Sequence, residues 1–336
     1  MEARVTRRPL LLLLGLVLLL RLPFLNQAIQ GDDHIYLTEA EHALIDPLHP
    51  NNTHYVFLGI DVDLRGHSHP PGNAWPLAAL IAIFGDVKEV PFHAAYIVFS
   101  LIAVWAAWSL AVRFTERPVW AVLLFLAVPA FVVNGNSLES DLPFLAFFLA
   151  AIALSSAGLL AGSCLAMAAA AMMAYQAVFL IPILIVHTWI FHRRDRARYL
   201  AAFTPAFTIA AWQLFQRITT GAVPASKLAN YLVDYKFAAL LSLLKGAAML
   251  SIHFWFILFP ALVPPLAIAA WRRRHEPATR FLVLWIAIFF LCGLPIFFAG
   301  SARYLLPIAL PLAILASRLP VKWIAPAFAL QLAFAL

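Results

Sequence analysis

Leu10–Leu25 reads LLLLLGLVLLLRLPFL, and Gly31–Ala40, a few residues on, reads GDDHIYLTEA. The first stretch is apolar except for Arg21 and long enough to enter a bilayer core. The second places adjacent carboxylates, Asp32 and Asp33, where the chain leaves it. The rest of the sequence repeats this alternation. The 336 residues are 64% hydrophobic and only 12% charged, with a mean hydropathy of +0.88. Soluble domains carry roughly 25% charge. So much apolar surface calls for lipid as solvent, and the fold class expected is an all-α membrane protein of many spans.

Eleven apolar runs read as spans: about 9–25, 91–112, 118–133, 142–157, 159–173, 174–191, 199–216, 247–270, 280–298, 304–317, and a last one from near Trp323. The formal net charge is +7, but its placement speaks for membrane orientation and against nucleic acid. Arg4/Arg7/Arg8, Arg113/Arg117, Arg193/Arg194/Arg196/Arg198, Arg272/Arg273/Arg274/Arg280 and Arg318/Lys322 each border an apolar run. With alternate crossing, all fall on one side, which the positive-inside rule makes cytoplasmic. The reading is a multi-pass protein of the inner (plasma) membrane, N-terminus cytoplasmic, residues 1–336 forming one membrane domain with no separate soluble domain. The basic start and leucine run also have the makings of a signal peptide. No small-residue cleavage site follows, so an uncleaved first span is the reading adopted. Cys164 and Cys292 both lie within predicted spans and read as small packing residues.

Two exterior loops follow, about 26–90 and about 217–246. The first is rich in Asp and Glu, with Arg65 and Lys88 as its cations. In it Leu37, Ala40 and Leu44 form one stripe and Asp32, Tyr36 and Glu39 another, which predicts an amphipathic helix lying on the outer membrane surface. NAWPLAALIAIFG, 73–85, is short for a span and predicts a second interfacial helix.

Four constellations carry candidate chemistry. Asp32 and Asp33 are either a solvated helix N-terminus, where carboxylates suit the macrodipole, or a general base tuned upward by its surroundings. RGHSHPPGNAWP holds Arg65, His67 and His69 before a Pro-Pro turn. Two imidazoles without a third ligand are a weak metal signal. No cofactor is expected, a divalent metal being the lesser alternative, and the prolines read as fixing a loop that presents a histidine and Arg65 to a polar substrate. In NGNSLESDLPF, Glu139 and Asp141 are either a solvated hairpin tip or functional carboxylates at a span edge. In GSARYLLPIALP, Arg303 and Tyr304 are either interfacial anchors or a phosphate-recognising fork with its aromatic neighbour.

In order, these pieces resemble the GT-C fold: the polytopic glycosyltransferases that use a polyprenyl-phosphate-linked sugar, among them protein O-mannosyltransferases and the lipid A aminoarabinose transferase. The matching elements are Asp32-Asp33-His34-Ile35-Tyr36 after the first span, His69-Pro70-Pro71, an amphipathic helix ending at Phe84-Gly85, Asp141 opening the fourth span, and Arg303-Tyr304-Leu305-Leu306-Pro307. Asp33 stands where Glu is usual, and MMAYQAVFLIP lacks the lysine of a common Thr-Lys-Tyr-like element.

The resemblance implies transfer from a polyprenyl-phosphate-sugar donor to a hydroxyl on a glycan, lipid or protein acceptor at the periplasmic face, in cell-envelope glycan biosynthesis. Asp32, Asp33 and Asp141 are then the catalytic candidates, with Asp32 first and Asp33 second as base. Tyr36, Arg65, His67, His69, Lys88, Glu139, Arg303 and Tyr304 are the substrate-binding candidates. The competing readings are a transporter or flippase of a lipid-linked or polar substrate, and a non-catalytic scaffold with the same fold.

Overall fold

A computed structural model describes residues 7–57, 59–237, 239–297 and 300–336. Arg4 of the first basic cluster and Phe298, at the end of the ninth apolar run, lie outside the described residues. The chain is helical almost throughout. α1 (Arg7–Arg21) leads to a long connecting segment, which holds α2 (Asp33–Ala43), a hairpin of β1 (His54–Phe57) and β2 (Ile60–Asp63), and α3 (Ala74–Phe84). Then follow α4 (Glu89–Phe114), α5 (Pro118–Leu126), α6 (Pro129–Val133), α7 (Asp141–Ser156), α8 (Leu160–Met173), α9 (Leu180–Phe191), α10 (Arg196–Ala201) and α11 (Thr204–Thr220). α12 (Pro224–Asp234) lies in a second connecting segment, and α13 (Leu240–His253), α14 (Val263–Arg272), α15 (Pro277–Gly293), α16 (Leu306–Ala316) and α17 (Val321–Ala335) complete the chain.

The apolar runs are where the sequence puts them, but most form helices shorter than a span and some are broken. Among the described residues only α4 is a single helix long and apolar enough to cross a bilayer; the other apolar helices have 10–17 residues. Proline is the cause, because it removes a backbone donor and crowds the preceding turn. The run 118–133 breaks at Pro129 into α5 and α6. The run 247–270 is no straight span: Leu240–Phe256 and Pro260–Arg272 meet at 85°. α16 tolerates Pro311 in its interior because it is buried along its whole length, held against α5 and α15. α7 packs between α4 and α8, and these helices with α16 form the core.

The first connecting segment also departs from expectation. α2 does not lie on a surface with its polar face in water. Leu37 and Ala40 are buried on one side, Tyr36 and Glu39 on the other. α3 is the expected second interfacial helix, closed by Gly85 at φ 75, the left-handed conformation glycine adopts freely. The hairpin, paired from His54 with Asp63 to Phe57 with Ile60, carried no alternating apolar signal strong enough to predict.

The two ends of the bundle differ in charge. Arg113, Arg117, Arg273 and Arg318 line one polar cavity with Glu116 and Glu276. Arg318 donates to Glu276 Oε2 (3.2 Å) and to the Phe114 carbonyl at the end of α4 (2.7 Å). The acidic residues gather at the opposite end, where α4 begins. The 26 residues of α4 separate the two by ~39 Å.

At that acidic end the segment 134–140 is buried rather than a solvated tip. Arg21, 1% exposed, closes α1 by donating to the carbonyls of Phe131 (2.8 Å) and Val132 (2.7 Å) and to Ser100 Oγ (3.0 Å). Those carbonyls end α6, so the cation also meets a helix C-terminus. A Cβ on Gly135 would fall on the Arg21 guanidinium. Gly135→Ala is therefore expected to expel that group and destabilise the protein by about 3 kcal/mol, the scale for breaking a buried charged interaction. A thermal melt in detergent matching the parent would show that Arg21 does not hold the segment.

Candidate active site

The segment 134–140 is positioned from every side. Asn73 Nδ2 donates to the Leu138 carbonyl (2.6 Å), and Tyr96 Oη donates to Asn73 Oδ1 (2.7 Å). His93 Nδ1 lies 2.5 Å from the Asn136 carbonyl, and Ser100 Oγ donates to that of Gly135 (3.2 Å). Asp33 completes the frame: its Oδ1 accepts from Leu138 N (3.0 Å) and Ser137 Oγ (3.2 Å), and its Oδ2 from Gln30 N (3.4 Å). Burial pushes the Asp33 carboxyl up, and these donors oppose the shift. At 2% exposure, Asp33 faces the protein and offers no oxygen to a substrate. Its sequence reading as the second candidate base gives way to a structural one.

The framed segment presents Glu139 and Asp141 to Arg303. Arg303 Nη1 donates to Glu139 Oε1 (2.6 Å) and Oε2 (2.5 Å), and Nη2 to Asp32 Oδ2 (2.7 Å). Nε lies 3.3 Å from Asp141 Oδ2. One guanidinium thus clasps three carboxylates from three parts of the chain: the N-terminus of α2, the 134–140 segment and the start of α7. The three differ in access. The Asp32 side chain is 43% exposed, against 12% for Asp141 and 9% for Glu139. Burial and Asp141 push the Glu139 carboxyl up to about 8, against the pull of Arg303. Burial lowers Arg303, but Asp141, Glu139, Tyr304 and the Asp32 hydrogen bond outweigh it and raise the group.

Behind the clasp lies an aromatic and hydroxyl layer. Tyr36 Oη sits 3.0 Å from Ser140 Oγ, which sits 2.7 Å from His69 Nδ1. That nitrogen also faces the Met173 carbonyl (3.1 Å), an acceptor, so it carries the proton. Burial holds His69 down at about 4, hence neutral at pH 7. His67 packs its ring 5.2 Å from Tyr36 and 5.4 Å from His69, with Nδ1 3.6 Å from Glu39 Oε1. Among the described residues no three His, Cys, Asp or Glu side chains come together as a metal-holding group.

Two candidates lie elsewhere. Arg65 is engaged by Asp63 through Nε (2.9 Å) and Nη2 (2.7 Å), and Lys227 of α12 joins the same carboxylate at 3.0 Å. Burial would raise Asp63, but the two cations hold it down at about 2. This ion triad ties the two connecting segments together. Lys88 is exposed before α4 and makes no ion pair with the clasp. Sequence reasoning missed Ser137, Ser140, Asn73 and His93. Their one sequence signal is that each is a polar residue set within or beside an apolar run.

A cavity of about 280 Å³ opens beside the clasp. Its walls are largely apolar, from Phe179, Leu228, Leu232 and Phe297, and it reaches His69 and Tyr304. Tyr304 links cavity to clasp, its ring 5.4 Å from the Arg303 guanidinium and stacked on Phe297 at 5.0 Å.

This architecture is that of the GT-C fold. The chain superimposes on ArnT from Cupriavidus metallidurans in the apo state, with a TM-score of 0.62 and 16% identity over 94% of this chain and 61% of that one. The same protein bound to undecaprenyl phosphate matches with a TM-score of 0.61 and 16% identity, over 96% and 62%. The chain therefore spans somewhat under two thirds of the length of these structures. Residues 68–215 match the sequence family described as dolichyl-phosphate-mannose-protein mannosyltransferase. No curated protein matches in sequence. The fold is thus similar to that of ArnT, and the family match covers 68–215, somewhat under half of the chain.

Proposed function

We propose that the protein transfers a sugar from a polyprenyl-phosphate donor to an acceptor hydroxyl, with inversion, at the exterior (periplasmic) face of the inner membrane. The observation that carries this reading is the three-carboxylate clasp on Arg303, which Tyr304 joins to an apolar cavity. Support for the donor class comes from that cavity, fit for an isoprenoid tail beside a phosphate-seeking guanidinium, and from the related structure that binds undecaprenyl phosphate. Support for the outward orientation comes from the basic residues at the far end of the bundle.

The geometry suggests an order of events. A donor phosphate competes for the Arg303 N–H groups. Asp32 is held through one nitrogen and is the most exposed of the three carboxylates, so it is the one displaced. Freed, it stands beside the anomeric carbon as the general base. The acceptor oxygen bonds to that carbon, its proton passes to Asp32, and the carbon–oxygen bond to phosphate breaks with its electron pair on the phosphate. Arg303 stabilises that leaving anion. Asp141 stays close enough to offset the oxocarbenium-like charge. A single displacement inverts the anomeric centre.

Comparison of lipid-linked sugars and surface glycans with and without the protein tests the function. A donor that accumulates while a glycan loses one sugar is the expected result. Unchanged pools of both, with flux of a polar substrate in proteoliposomes, would instead support transport.

Glu139 adds a pH prediction. With its carboxyl at about 8, it is mostly neutral at pH 7 and ionises as pH rises through 8, adding a negative charge beside the donor phosphate. Donor affinity is expected to fall severalfold between pH 7 and 9 and to stay flat over that range in Glu139→Gln. Parallel titration curves for both proteins would remove Glu139 from the phosphate site.

A further inference from the structure

A second cavity lies in a different part of the molecule from the clasp, and its chemistry is that of a lipid. A groove of about 620 Å³ runs between α14, α15 and α16. Leu266 and Ala270 of α14, Leu284 of α15 and Leu312 of α16 form its apolar walls, and Ala267 keeps it open. It faces outward, since Trp271 is 68% and Val283 40% exposed at its rim. One end reaches Phe254 near the 85° bend; the other ends at Arg274 and Arg280.

Those two cations set the groove apart from an ordinary lipid-facing surface. The turn between α14 and α15 carries Arg272, Arg273, Arg274, Glu276 and Arg280. Its one carboxylate, Glu276, is committed elsewhere, to Arg318 at 3.2 Å and Arg273 at 3.9 Å. Arg274 lies over the Trp271 ring at 4.6 Å and donates to the Trp271 carbonyl, and Arg280 lies over the Trp189 ring at 5.2 Å. Neither has a carboxylate partner among the described residues. Two uncompensated guanidinium groups thus cap an apolar channel about 15 Å long, the length of the ten residues of α14.

We propose that this groove binds an anionic phospholipid of the leaflet at the basic face: Arg274 and Arg280 take the phosphate and one acyl chain lies along α14. Charge complementarity selects the headgroup, because basic pockets between membrane helices attract anionic lipids. The groove selects a lipid over a soluble phosphate, which has nothing to put there. The occupant is distinct from the donor carrier, whose phosphate belongs at the opposite end of α4.

Native mass spectrometry of the full chain, delipidated and then offered phosphatidylglycerol or phosphatidylcholine, tests this. The protein is expected to retain phosphatidylglycerol with a preference of roughly tenfold or more, as two cations at an anionic headgroup provide. The double variant Arg274→Gln/Arg280→Gln should lose most of that preference. Ala267→Phe, which fills the groove, should lower retention of both lipids. The proposal is overturned by equal retention of the two lipids in the parent or by an undiminished preference in the double variant. It is equally overturned if undecaprenyl phosphate displaces phosphatidylglycerol at equal concentration, which would assign the groove to the carrier. The measurement needs no sugar transfer, so it stands or falls apart from the proposed activity.

Discussion

Asp32→Asn is expected to lower sugar transfer by roughly 10²–10⁴-fold, the range lost with a general base, and to leave folding and membrane insertion intact. Asp32 makes one charged contact, to Arg303 Nη2, and its side chain is 43% exposed. An Asn oxygen can still accept that hydrogen bond, so the clasp persists in weaker form and only proton uptake is lost. Asp33→Asn is the informative companion. Asp33 accepts from Leu138 N, Ser137 Oγ and Gln30 N, and an amide nitrogen on the Oδ1 or Oδ2 side would face a donor with a donor. That variant should therefore lose melting temperature and turnover together, whereas Asp32→Asn loses turnover alone. Single-turnover assays in nanodiscs at saturating donor, paired with thermal melts, separate the two. Near-parental turnover in Asp32→Asn would remove it as the base.

The membrane class and the parts of the clasp were legible in the sequence because they leave local signatures. A charge-poor run announces a helix in lipid, and Asp32, Asp141 and Arg303 each stand at the edge of one. Their convergence was legible only through an order of motifs that resembles the GT-C pattern, since nothing local says that residues 271 positions apart will meet at 2.7 Å. Two kinds of feature stayed hidden. The apolar runs carry prolines whose effect depends on packing: Pro311 is absorbed within α16, while Pro129 divides a run in two. And a polar residue in an apolar context reads the same whether it waits in water or spends itself on a neighbour. Arg65 looked like a free exterior cation, yet Asp63, two residues before it, occupies its fork. Asp33 read as the second candidate base after Asp32, yet its side chain turns into the 134–140 segment while that of Asp32 meets Arg303.

Arg303→Lys should cost the reaction about 10²–10³-fold, although it keeps the charge. Arg303 engages Glu139 through Nη1, Asp32 through Nη2 and Asp141 through Nε; a planar fork reaches three directions at once, and an ammonium is a single compact point. The lost term falls on the transition state, where phosphate departs as an anion, so kcat should drop as well as donor affinity. Arg303→Gln goes further by leaving Asp32, Glu139 and Asp141 to face one another with no cation between them. Removing one partner of a buried ionic group costs about 3–5 kcal/mol, and here the carboxylates left behind are mostly buried. The sign of the pH effect follows from their chemistry. Lowering the pH keeps Glu139 neutral and relieves its repulsion of the two aspartates, so the stability gap between Arg303→Gln and the parent should narrow in acid and widen toward pH 8, where Glu139 ionises. Thermal melts of both proteins from pH 5 to pH 8.5 test this directly. A constant gap across that range would mean that the three carboxylates do not share the cation, and the order of events proposed for donor binding would lose its starting point.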